Sequence, residues 1–580
     1  MTAGGRHIRI RMLPVRHCSR KQGEEAQSMG FYLNSKKPFL MFQEEALSAY
    51  FVDKSDILKE LVPIVSSGKD AAGESVAEKG YKYVCIARPR RFGKTVMANM
   101  ISAYFGKGTD SSGIFGGLKA ASFTWYEEHL NRHNVIHIML NEMPNKCDSY
   151  EDYLTRISNL LLDDLAMAYP NIRIREGEAL WDVFNKIVEF GEADKFIFVL
   201  DEWDFIFHRK FITEADKAAY IGFLNNLLKD QPYVEFVYMT GILPISKYSS
   251  GSELNMFFEY TIATKARYSE YFGFTEEEVD GLYQRYLKNV TSPNVDRDGL
   301  RFWYDGYQTM SGIRLYNPRS VVGALSDNQL ANYWTSSGPY DEIFYYVEHD
   351  VDELRDDIAL MVSGTPVPAK VQEYAATSMK LTTKDEIFSA MVVYGFLSYK
   401  EGFVSIPNKE LLDKFADMLR KEPSLGYVHR LARESGRMLR ATKSGDTKTM
   451  VDILEYVHNT ESPLLCYSNE AELAAVVRLV YLEARDTYQI DREDKAGIGY
   501  VDFIFYPLHA EDDCIILELK VDHTVEEAIA QIKGRNYALR FQGKLGERVK
   551  YRGRILAVGI AYSREDKKHD CRIEVLREAI

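Results

Sequence analysis

The chain has 580 residues, of which 46% are apolar and 27% are charged, and its formal net charge is −13. This length predicts several domains with ample core, and the composition excludes a disordered or fibrous chain. The negative charge excludes a chain-wide basic field, so any binding of nucleic acid must be local.

The cysteines and the apolar runs of the sequence indicate in which cellular compartment the protein is expected. The six cysteines include no C-x-x-C pair, which argues against a disulfide framework or a zinc site and predicts a reducing, cytoplasmic compartment. No apolar run reaches the roughly 18 residues of a spanning helix, so no membrane contact is expected. Residues 1–38 are expected to form a flexible basic extension, with a nucleic-acid arm as the alternative, and translation could start at Met1 or Met29.

The stretch from Tyr81 to Thr95, YKYVCIARPRRFGKT, combines an apolar strand pattern, a short turn and the start of an apolar helix. A Lys-Thr pair at a helix N-terminus favours phosphate, because free backbone N–H groups and the helix dipole point there. Lys94 would reach the β- and γ-phosphates of ATP, and Thr95 would place its hydroxyl on Mg²⁺. The predicted nucleotide-binding residues of this loop are Arg88, Pro89, Arg90, Arg91, Phe92, Gly93, Lys94 and Thr95.

The loop departs from the usual G-x-x-x-x-G-K-[ST] pattern at its first position, where Arg88 stands in place of glycine. Loss of that glycine removes a position that is free to take a positive φ. A surface turn is therefore the alternative interpretation of this stretch.

A second element supports the nucleotide site. Residues 196–200, FIFVL, predict a strand buried on both faces, and Asp201 and Glu202 follow at its carboxyl end, where ligands lie in open α/β sheets. Asp201 is expected to hold Mg²⁺ through water, and Glu202 is expected to be the catalytic group that polarises the attacking water. A helix N-cap after a core strand is the alternative role for this acidic pair.

Further apolar runs lie at residues 135–140, 234–241 and 258–263. They complete a predicted parallel five-stranded sheet with helices on both faces, within a P-loop domain assigned to residues 39–290. Thr240 is the candidate sensor of the γ-phosphate, although threonine is also a common strand residue. Arg267 is a candidate arginine finger, with a solvated arginine as the alternative, and His137 is expected to be a core imidazole.

The middle region, residues 291–460, is predicted to be mainly helical. Residues 381–399 have the pattern of a capped amphipathic helix that runs into a strand, and Glu401-Gly402 turns the chain back through residues 403–406. A helix followed by a hairpin suits a winged-helix module that contacts DNA, although many small domains share this pattern.

The C-terminal region, residues 461–580, carries polar residues on apolar strands. Asp502 lies in the run YVDFIF, and Glu518 and Lys520 lie two apart in the run CIILELKV, so these two point to one face. Two carboxylates on neighbouring strands can bind a hard divalent cation, and a lysine beside them can stabilise charge on a reacting phosphate. Asp502, Glu518 and Lys520 are therefore predicted to be catalytic.

A predicted amphipathic helix over residues 525–541 leads into a cluster of cations. Eight basic residues stand against a single acid, Glu547, and form what we call the basic patch: Lys533, Arg535, Arg540, Lys544, Arg548, Lys550, Arg552 and Arg554. A basic patch on an acidic chain predicts contact with the phosphate backbone of nucleic acid, and a solvated basic face is the alternative.

Several blocks of sequence, taken in order, resemble a known family. The runs ARPRRFGKT, YFGFTEEEV, WYDGY and YNP are similar to bacterial AAA-ATPase-like proteins that carry a C-terminal nuclease-like domain. The runs GYVDFIFYP, IILELKV and AIAQIKGRNYALRF resemble the PD-(D/E)XK nuclease superfamily. The resemblance extends from about Tyr50 to Phe541.

The resemblance implies an α/β architecture in three parts. These are a P-loop NTPase with a three-layer parallel sheet, a mainly helical middle region, and a C-terminal α/β restriction-endonuclease-like domain. It also implies that Arg88 is usual at its position in this group, whereas Val501 stands where the nuclease motif commonly has proline.

For the nuclease-like site, the resemblance maps residues onto the metal-binding core. It adds Glu470 to Asp502 and Glu518 as an acid near the metal. It also implies that Gln531 and Tyr537 form the pair on the helix after the core.

Three functional hypotheses remain open. The first is an ATP-dependent DNA-processing enzyme that hydrolyses ATP with Mg²⁺ and cuts a phosphodiester at a C-terminal site served by Mg²⁺ or Mn²⁺. The second is a nucleotide-controlled switch whose C-terminal domain binds nucleic acid or protein without cleavage. The third is a tail that serves only for dimerisation. DNA is the favoured nucleic acid, and assembly into a homo-oligomer is left open.

Overall fold

The computed structural model describes residues 30–65, 81–191, 194–245, 254–263, 265–334, 352–371, 383–421, 426–458, 470–495, 500–535, 537–541 and 551–580. The start of the predicted basic extension and three members of the basic patch (Lys544, Arg548 and Lys550) lie outside these ranges. No helix in the described ranges is both long and apolar enough to cross a membrane.

The N-terminal half is built around five strands in the order β2-β3-β4-β1-β5. The strands are β1 (Tyr83–Ala87), β2 (Asn134–Met139), β3 (Phe196–Asp201), β4 (Val234–Gly241) and β5 (Phe258–Tyr260). All four pairings are parallel, which confirms the predicted sheet. The last strand is shorter than predicted, because the chain turns at residues 262–263.

Side chains of this sheet alternate between two apolar layers, because successive residues of a strand point to opposite faces. Phe196 and Phe198 pack into one layer, and Ile197 and Val199 pack into the other. Helices cover both faces and give the predicted three layers. The helices of this half are Lys37–Ala46, Leu58–Val65, Lys94–Phe105, Ser112–Phe115, Tyr126–His129, Tyr150–Ala168, Leu180–Phe190 and Glu214–Leu228.

The segment before the first helix is part of the N-terminal domain. The sequence predicts a flexible extension over residues 1–38, but residues 31–34 are hydrogen-bonded to the domain. Leu33 is buried and forms an antiparallel bridge with Ile136 at the edge of the sheet. The buried carboxylate of Asp164 accepts hydrogen bonds from three successive backbone N–H groups of the segment. These contacts fix the segment along β2.

The middle region is mainly helical, as predicted. Helix Glu276–Asn289 ends just before this region, whose own helices are Arg297–Tyr304, Pro318–Asp327, Asp352–Val362, Lys384–Tyr394, Lys409–Lys421, Gly426–Ser444 and Thr447–His458. Its short strands are β6 (Tyr307–Gln308), β7 (Arg314–Leu315), β8 (Val367–Pro368), β9 (Ser398–Lys400) and β10 (Phe403–Ser405). The last three form an antiparallel sheet in the order β8-β10-β9.

The helix and hairpin that suit a winged-helix module lie inside this region. Helix Lys384–Tyr394 begins after a capping box at Thr383 and runs into the β9–β10 hairpin, as the sequence predicts. Its residues Ile387–Val392 are all buried, and none of its residues is fully exposed. Contact of this winged-helix-like element with DNA stays a prediction, and its exposed residues lie in the β9–β10 hairpin, at Lys400, Glu401 and Phe403.

The C-terminal region contains a mixed sheet in the order β11-β12-β13-β14-β15. The strands are β11 (Tyr488–Lys495), β12 (Tyr500–Pro507), β13 (Cys514–Val521), β14 (Ile555–Ser563) and β15 (Lys568–Arg577), and the flanking helices are Glu470–Val480 and Val525–Gly534. The β13–β14 pair is parallel and the other pairs are antiparallel. This arrangement agrees with the predicted restriction-endonuclease-like α/β domain.

The two faces of the C-terminal sheet have different partners. Ile516 packs with Ile529 of helix Val525–Gly534 on one face. Leu517, on the other face, belongs to a core that continues into the middle region. The predicted helix over residues 525–541 is not continuous: it ends at Gly534, and a separate 3-10 helix begins at Tyr537.

Candidate functional site

The phosphate loop lies between β1 and helix Lys94–Phe105, at the carboxyl edge of the parallel sheet. Gly93 has φ +87°, a value that favours glycine, and no other atom lies within 4 Å of the position that a Cβ would take there. Lys94 begins the helix and is 7% exposed. Its ammonium donates hydrogen bonds of 2.9 Å to the carbonyl oxygens of Arg88 and Pro89.

Three carboxylates act on the buried ammonium of Lys94. Burial lowers the pKa of Lys94, and the carboxylates of Asp201, Asp204 and Glu202 oppose this by raising it. The lysine therefore faces the acidic end of β3, as the sequence predicts. A lysine in this setting is held ready for a phosphate group without a carboxylate salt bridge of its own.

The sequence predicts that Arg88 and Pro89 contact nucleotide, but neither side chain lines the cavity over the loop. The Arg88 side chain is fully buried, and its Nη1 donates to the carbonyl oxygen of Tyr260 at 2.6 Å. The guanidinium also lies 5.3 Å from the ring centre of Phe272. Burial lowers the pKa of Arg88 to about 10. The arginine thus joins β1 to β5 instead of facing a ligand.

A cavity of about 970 Å³ opens over the phosphate loop, at the upper end of the range for small-molecule sites. Six predicted loop residues line it together with the predicted base Glu202: Arg90, Arg91, Phe92, Gly93, Lys94 and Thr95. Other residues that line the cavity were not predicted from the sequence: Tyr50, Phe51, His208, Arg209, Arg319 and Tyr333. The run YNPRS offered a signal for Arg319, because Asn317 caps a helix there and Pro318 suits its first position.

Asp201 lies at the end of β3 and is completely buried. Its Oδ1 accepts a hydrogen bond from the hydroxyl of Thr240, and its Oδ2 has no hydrogen-bond donor within the described part of the chain. Thr240 is also fully buried and does not line the cavity. The predicted sensor therefore orients Asp201, because its hydroxyl points along the sheet edge to the neighbouring strand.

Glu202 takes a left-handed backbone conformation, with φ +56°. Its Oε2 accepts a hydrogen bond of 2.8 Å from the side-chain amide of Asn141. Burial raises the pKa of Glu202, the charge of Asp201 raises it further, and Lys94 lowers it. The carboxylate is therefore a stronger base than an exposed glutamate.

Two further predicted residues do not line this cavity. The Nδ1 atom of His137 lies 2.7 Å from the hydroxyl of Ser102, and burial lowers the pKa of this histidine to about 4, which confirms a core imidazole. Arg267 pairs with Glu60 at 3.3 Å and lies over the ring of Tyr268. Its role as an arginine finger stays a prediction.

The C-terminal site lies on the face of the sheet that carries helix Val525–Gly534. Asp502 of β12 and Glu518 of β13 come together there, and an Asp502 oxygen accepts the backbone N–H of Leu519 at 2.7 Å. Glu518 is only 3% exposed. Burial, and then repulsion by Asp502, raises the pKa of Glu518 to about 7, while Lys520 lowers it.

Residues implied by the family resemblance converge on Glu518. Lys520 Nζ lies 3.2 Å from Glu518 Oε1 and 3.6 Å from Glu470 Oε1. The side-chain amide of Gln531 donates to the same Glu518 oxygen. The ring of Tyr537 is buried in the core, and its hydroxyl accepts a hydrogen bond of 3.0 Å from Arg535.

Both acidic sites fit a divalent cation. The Oδ2 atom of Asp201 and the Oε2 atom of Glu518 are buried, and neither has a hydrogen-bond donor among the described residues. A buried carboxylate oxygen without a donor is costly unless a cation or water meets it, and hard cations such as Mg²⁺ prefer oxygen ligands. Over the described ranges, no three His, Cys, Asp or Glu side chains are already gathered as a metal site. Glu470 contacts Lys520 instead.

The described part of the basic patch is less basic than its sequence predicts. Lys533 pairs with Glu574, Arg552 lies 3.3 Å from Glu511, and Arg554 lies 2.6 Å from Asp513. The acids come from other segments of the domain, so a count along residues 533–554 misses them. These pairs reduce the charge available for a phosphate backbone.

Comparison with known proteins agrees with the two sites. Residues 71–250 match a family model described as "Predicted AAA-ATPase", and residues 468–565 match one described as "PD-(D/E)XK nuclease superfamily". An uncharacterized protein in the vnfD 5′ region of Azotobacter chroococcum mcd 1 is 26% identical over 294 residues. That match covers 50% of this chain and 51% of the relative, so the chain spans about half the length of the curated relative.

Two solved structures have partial likeness to the chain. The Walker-type ATPase PABY2304 of Pyrococcus abyssi is 13% identical with a TM-score of 0.35, and the match covers 58% of this chain and 91% of that one. The ORC2 protein of Aeropyrum pernix is 12% identical with a TM-score of 0.29, covering 68% and 97%. Likeness this low carries no argument by itself, and the fold rests on the strand order described above. The chain therefore combines a segment similar to predicted AAA-ATPases with a C-terminal segment similar to the PD-(D/E)XK nuclease superfamily.

Proposed function

We propose that this chain binds and hydrolyses ATP at its N-terminal site and cuts DNA at its C-terminal site, within the cytoplasm. One observation, repeated at both sites, carries the proposal. Each site has a buried carboxylate oxygen that accepts no hydrogen bond from the described residues, on Asp201 and on Glu518. Each of these acids also interacts with a lysine, Asp201 with Lys94 and Glu518 with Lys520. That combination suits a divalent cation beside a phosphate group.

At the N-terminal site, each residue has a distinct role. Mg²⁺ would offset negative charge on the phosphates of ATP, and Thr95 and Asp201 are the residues that would hold it. Lys94 would bind the β- and γ-phosphates. Glu202 would accept the proton of the attacking water, and its raised pKa makes it a better base for that transfer. Thr240 would keep Asp201 in position.

At the C-terminal site, Asp502 and Glu518 would hold Mg²⁺ or Mn²⁺, with Glu470 nearby, and the cation would neutralise charge on the phosphodiester. Lys520 would stabilise the negative charge that develops on the reacting phosphate. Gln531 would fix the orientation of Glu518 through its hydrogen bond. The phosphodiester backbone of DNA is therefore the proposed substrate.

The test uses purified protein with supercoiled and linear DNA, with and without ATP, in Mg²⁺ or Mn²⁺. Metal-dependent nicking is expected from the wild type and should be lost in Glu518→Ala and Lys520→Ala. Lys568→Ala, which removes an exposed lysine of β15, is the matched control and should nick normally. Lys94→Ala should remove any effect of ATP. Undiminished nicking by Glu518→Ala would refute the nuclease assignment.

A second candidate is a nucleotide-controlled switch that binds nucleic acid or protein without cleaving it. The ion pairs of Lys533, Arg552 and Arg554 favour the form of this switch that binds protein, because they weaken the attraction for a phosphate backbone that any nucleic-acid-binding site needs. Two measurements distinguish the candidates. The switch predicts no metal-dependent nicking. It also predicts that the wild type releases no phosphate in the steady state, and that Glu202→Gln does not differ from it.

A further inference from the structure

The phosphate loop is attached to the middle region through Arg91. Its Nη1 atom donates hydrogen bonds to the carbonyl oxygens of Tyr333 and Trp334, at 2.6 and 2.7 Å. In return, the indole N–H of Trp334 donates to the carbonyl oxygen of Arg90 at 3.3 Å. Loop and middle region thus exchange hydrogen bonds in both directions.

The same two residues are held from their other side by Glu410. Its Oε1 atom accepts the backbone N–H groups of Tyr333 and Trp334, at 2.7 and 3.1 Å. Glu410 lies in helix Lys409–Lys421 and is only 1% exposed. The backbone of Tyr333 and Trp334 is therefore held from two sides: Arg91 donates to its carbonyl oxygens, and Glu410 accepts from its N–H groups. We call these four hydrogen bonds the grip.

Packing strengthens this attachment. Phe92 is buried and meets the ring of Tyr307 edge to face, with ring centres 4.9 Å apart. A Cβ at Gly395 would come within 2.7 Å of the Pro89 ring, so the loop is also in close contact with the end of helix Lys384–Tyr394. Phe92 and Trp334 belong to the hydrophobic core that continues to Leu517 in the C-terminal sheet.

The backbone of Arg91 shows that the grip holds a strained loop. Arg91 has φ +68°, a conformation that is unfavourable for residues with a Cβ and easy for glycine. An arginine with this backbone conformation has a higher conformational free energy, and its side-chain hydrogen bonds offset that cost. A phosphate loop that needed only the backbone shape would be served better by glycine.

We propose that Arg91 and Glu410 are positioning residues of the nucleotide site, which hold the phosphate loop against the middle region by gripping Tyr333 and Trp334. The grip transmits occupation of the loop by ATP into the core shared with the C-terminal sheet. This inference rests on ATP binding as proposed above. It adds the route by which that binding reaches the second site.

Arg91→Gly separates the grip from the backbone shape, because glycine takes the same positive φ without strain but has no guanidinium. The variant is expected to weaken Mg²⁺-ATP binding at least tenfold in titration calorimetry. In hydrogen exchange, ATP is expected to protect the Tyr333 and Trp334 amides of the wild type and not those of the variant. Unchanged affinity with unchanged protection would overturn the proposal.

Glu401→Gly is the matched control for relief of strain. Glu401 also has a positive φ, +49°, and lies in the exposed β9–β10 turn of the middle region. The Glu401→Gly variant should bind ATP as the wild type does, and ATP should protect its Tyr333 and Trp334 amides to the same extent. A loss equal to that of Arg91→Gly would show that glycine substitution itself disturbs the protein, and would overturn the role of the guanidinium.

Glu410 is tested by conservative rescue. Glu410→Gln keeps an oxygen that can accept both N–H groups, so ATP affinity and protection should stay near those of the wild type, whereas Glu410→Ala should lose both. Thermal melts check that each variant is folded. If Glu410→Ala is folded and binds ATP normally, Glu410 has no positioning role.

Failure of this inference can be distinguished from failure of the proposed function. Without nucleotide, the Tyr333 and Trp334 amides should exchange faster in Arg91→Gly than in the wild type, because the grip exists before ATP binds. If the wild type binds no ATP but this difference is present, the ATPase proposal fails and the grip stands. If ATP binds and the basal rates are equal, the grip is wrong.

Discussion

At the scale of single residues, Glu518 shows how position in the fold creates chemistry. The residue lies on a buried strand beside Asp502, and burial and charge together raise the pKa of Glu518 to about 7. In the folded protein this carboxyl therefore keeps its proton up to about pH 7 unless a cation joins the site. Glu518 therefore lowers the stability of the folded protein at neutral and higher pH, and residues that cost stability in this way are typical of functional sites.

Glu518→Gln is expected to stabilise the metal-free protein at roughly pH 8 by up to about 3 kcal/mol, since one pKa unit corresponds to about 1.4 kcal/mol. The folded carboxyl holds its proton until about pH 7, whereas the unfolded one releases it near 4.5, so wild-type stability falls as pH rises between these values. The gain should vanish below the lower value. Urea unfolding in EDTA across this range measures it, and a difference independent of pH would contradict the account.

The limits of prediction also appear at this scale. The positions of Asp201, Asp502 and Glu518 were predictable, because each lies at a strand end or in a strand whose alternation fixes the direction of its side chain, and the position of Lys94 followed from the start of a helix. The direction of the Arg88 side chain was not, since it depends on a carbonyl of β5 more than a hundred residues away in sequence. Long-range partners of this kind leave no local pattern.

At the scale of elements, the parallel sheet follows from its apolar runs, while short segments without a pattern do not. The segment at Gly30–Asn34 is the clearest case, because its hydrogen bonds depend on Asp164 in a distant helix. The break after Gly534 was also missed, because amphipathic spacing continues across it. Tertiary contacts override local propensity at both places.

Asp164→Ala is expected to destabilise the protein by about 3 kcal/mol, because it leaves buried backbone N–H groups without an acceptor. Hydrogen exchange should accelerate in residues 31–34 and in β2, against which they lie. The neighbouring Asp163 is exposed, so Asp163→Ala is the control and should have little effect. Equal effects of the two substitutions would show that Asp164 does not anchor the segment.

At the scale of the whole molecule, a single hydrophobic core links the phosphate loop to the C-terminal sheet. It includes Phe92 of the loop, helices of the middle region, and Phe503 and Leu517 of the sheet. Cores of this extent unfold cooperatively, so the middle and C-terminal regions are expected to behave as one unit. Sequence patterns could not show this, because they place a domain boundary near residue 460.

Leu517→Ala tests the shared core, with Ile516→Ala as its matched control on the opposite face of the same strand. Both residues are fully buried, and each substitution should cost about 3 kcal/mol. Leu517→Ala should lower hydrogen-exchange protection in helix Asp352–Val362 of the middle region. Ile516→Ala should act mainly on helix Val525–Gly534. The same exchange pattern for both would mean that the two faces are not separate.

The central claim is that two oxygen-rich sites in one chain each hold a divalent cation, one with ATP and one without it. Titration with Mn²⁺, followed by electron paramagnetic resonance, tests this directly. The account predicts one bound ion in the absence of nucleotide and two with a non-hydrolysable ATP analogue. Glu518→Ala should lose only the first ion, and Lys94→Ala only the second. Wild-type Mn²⁺ binding by both variants would contradict the account.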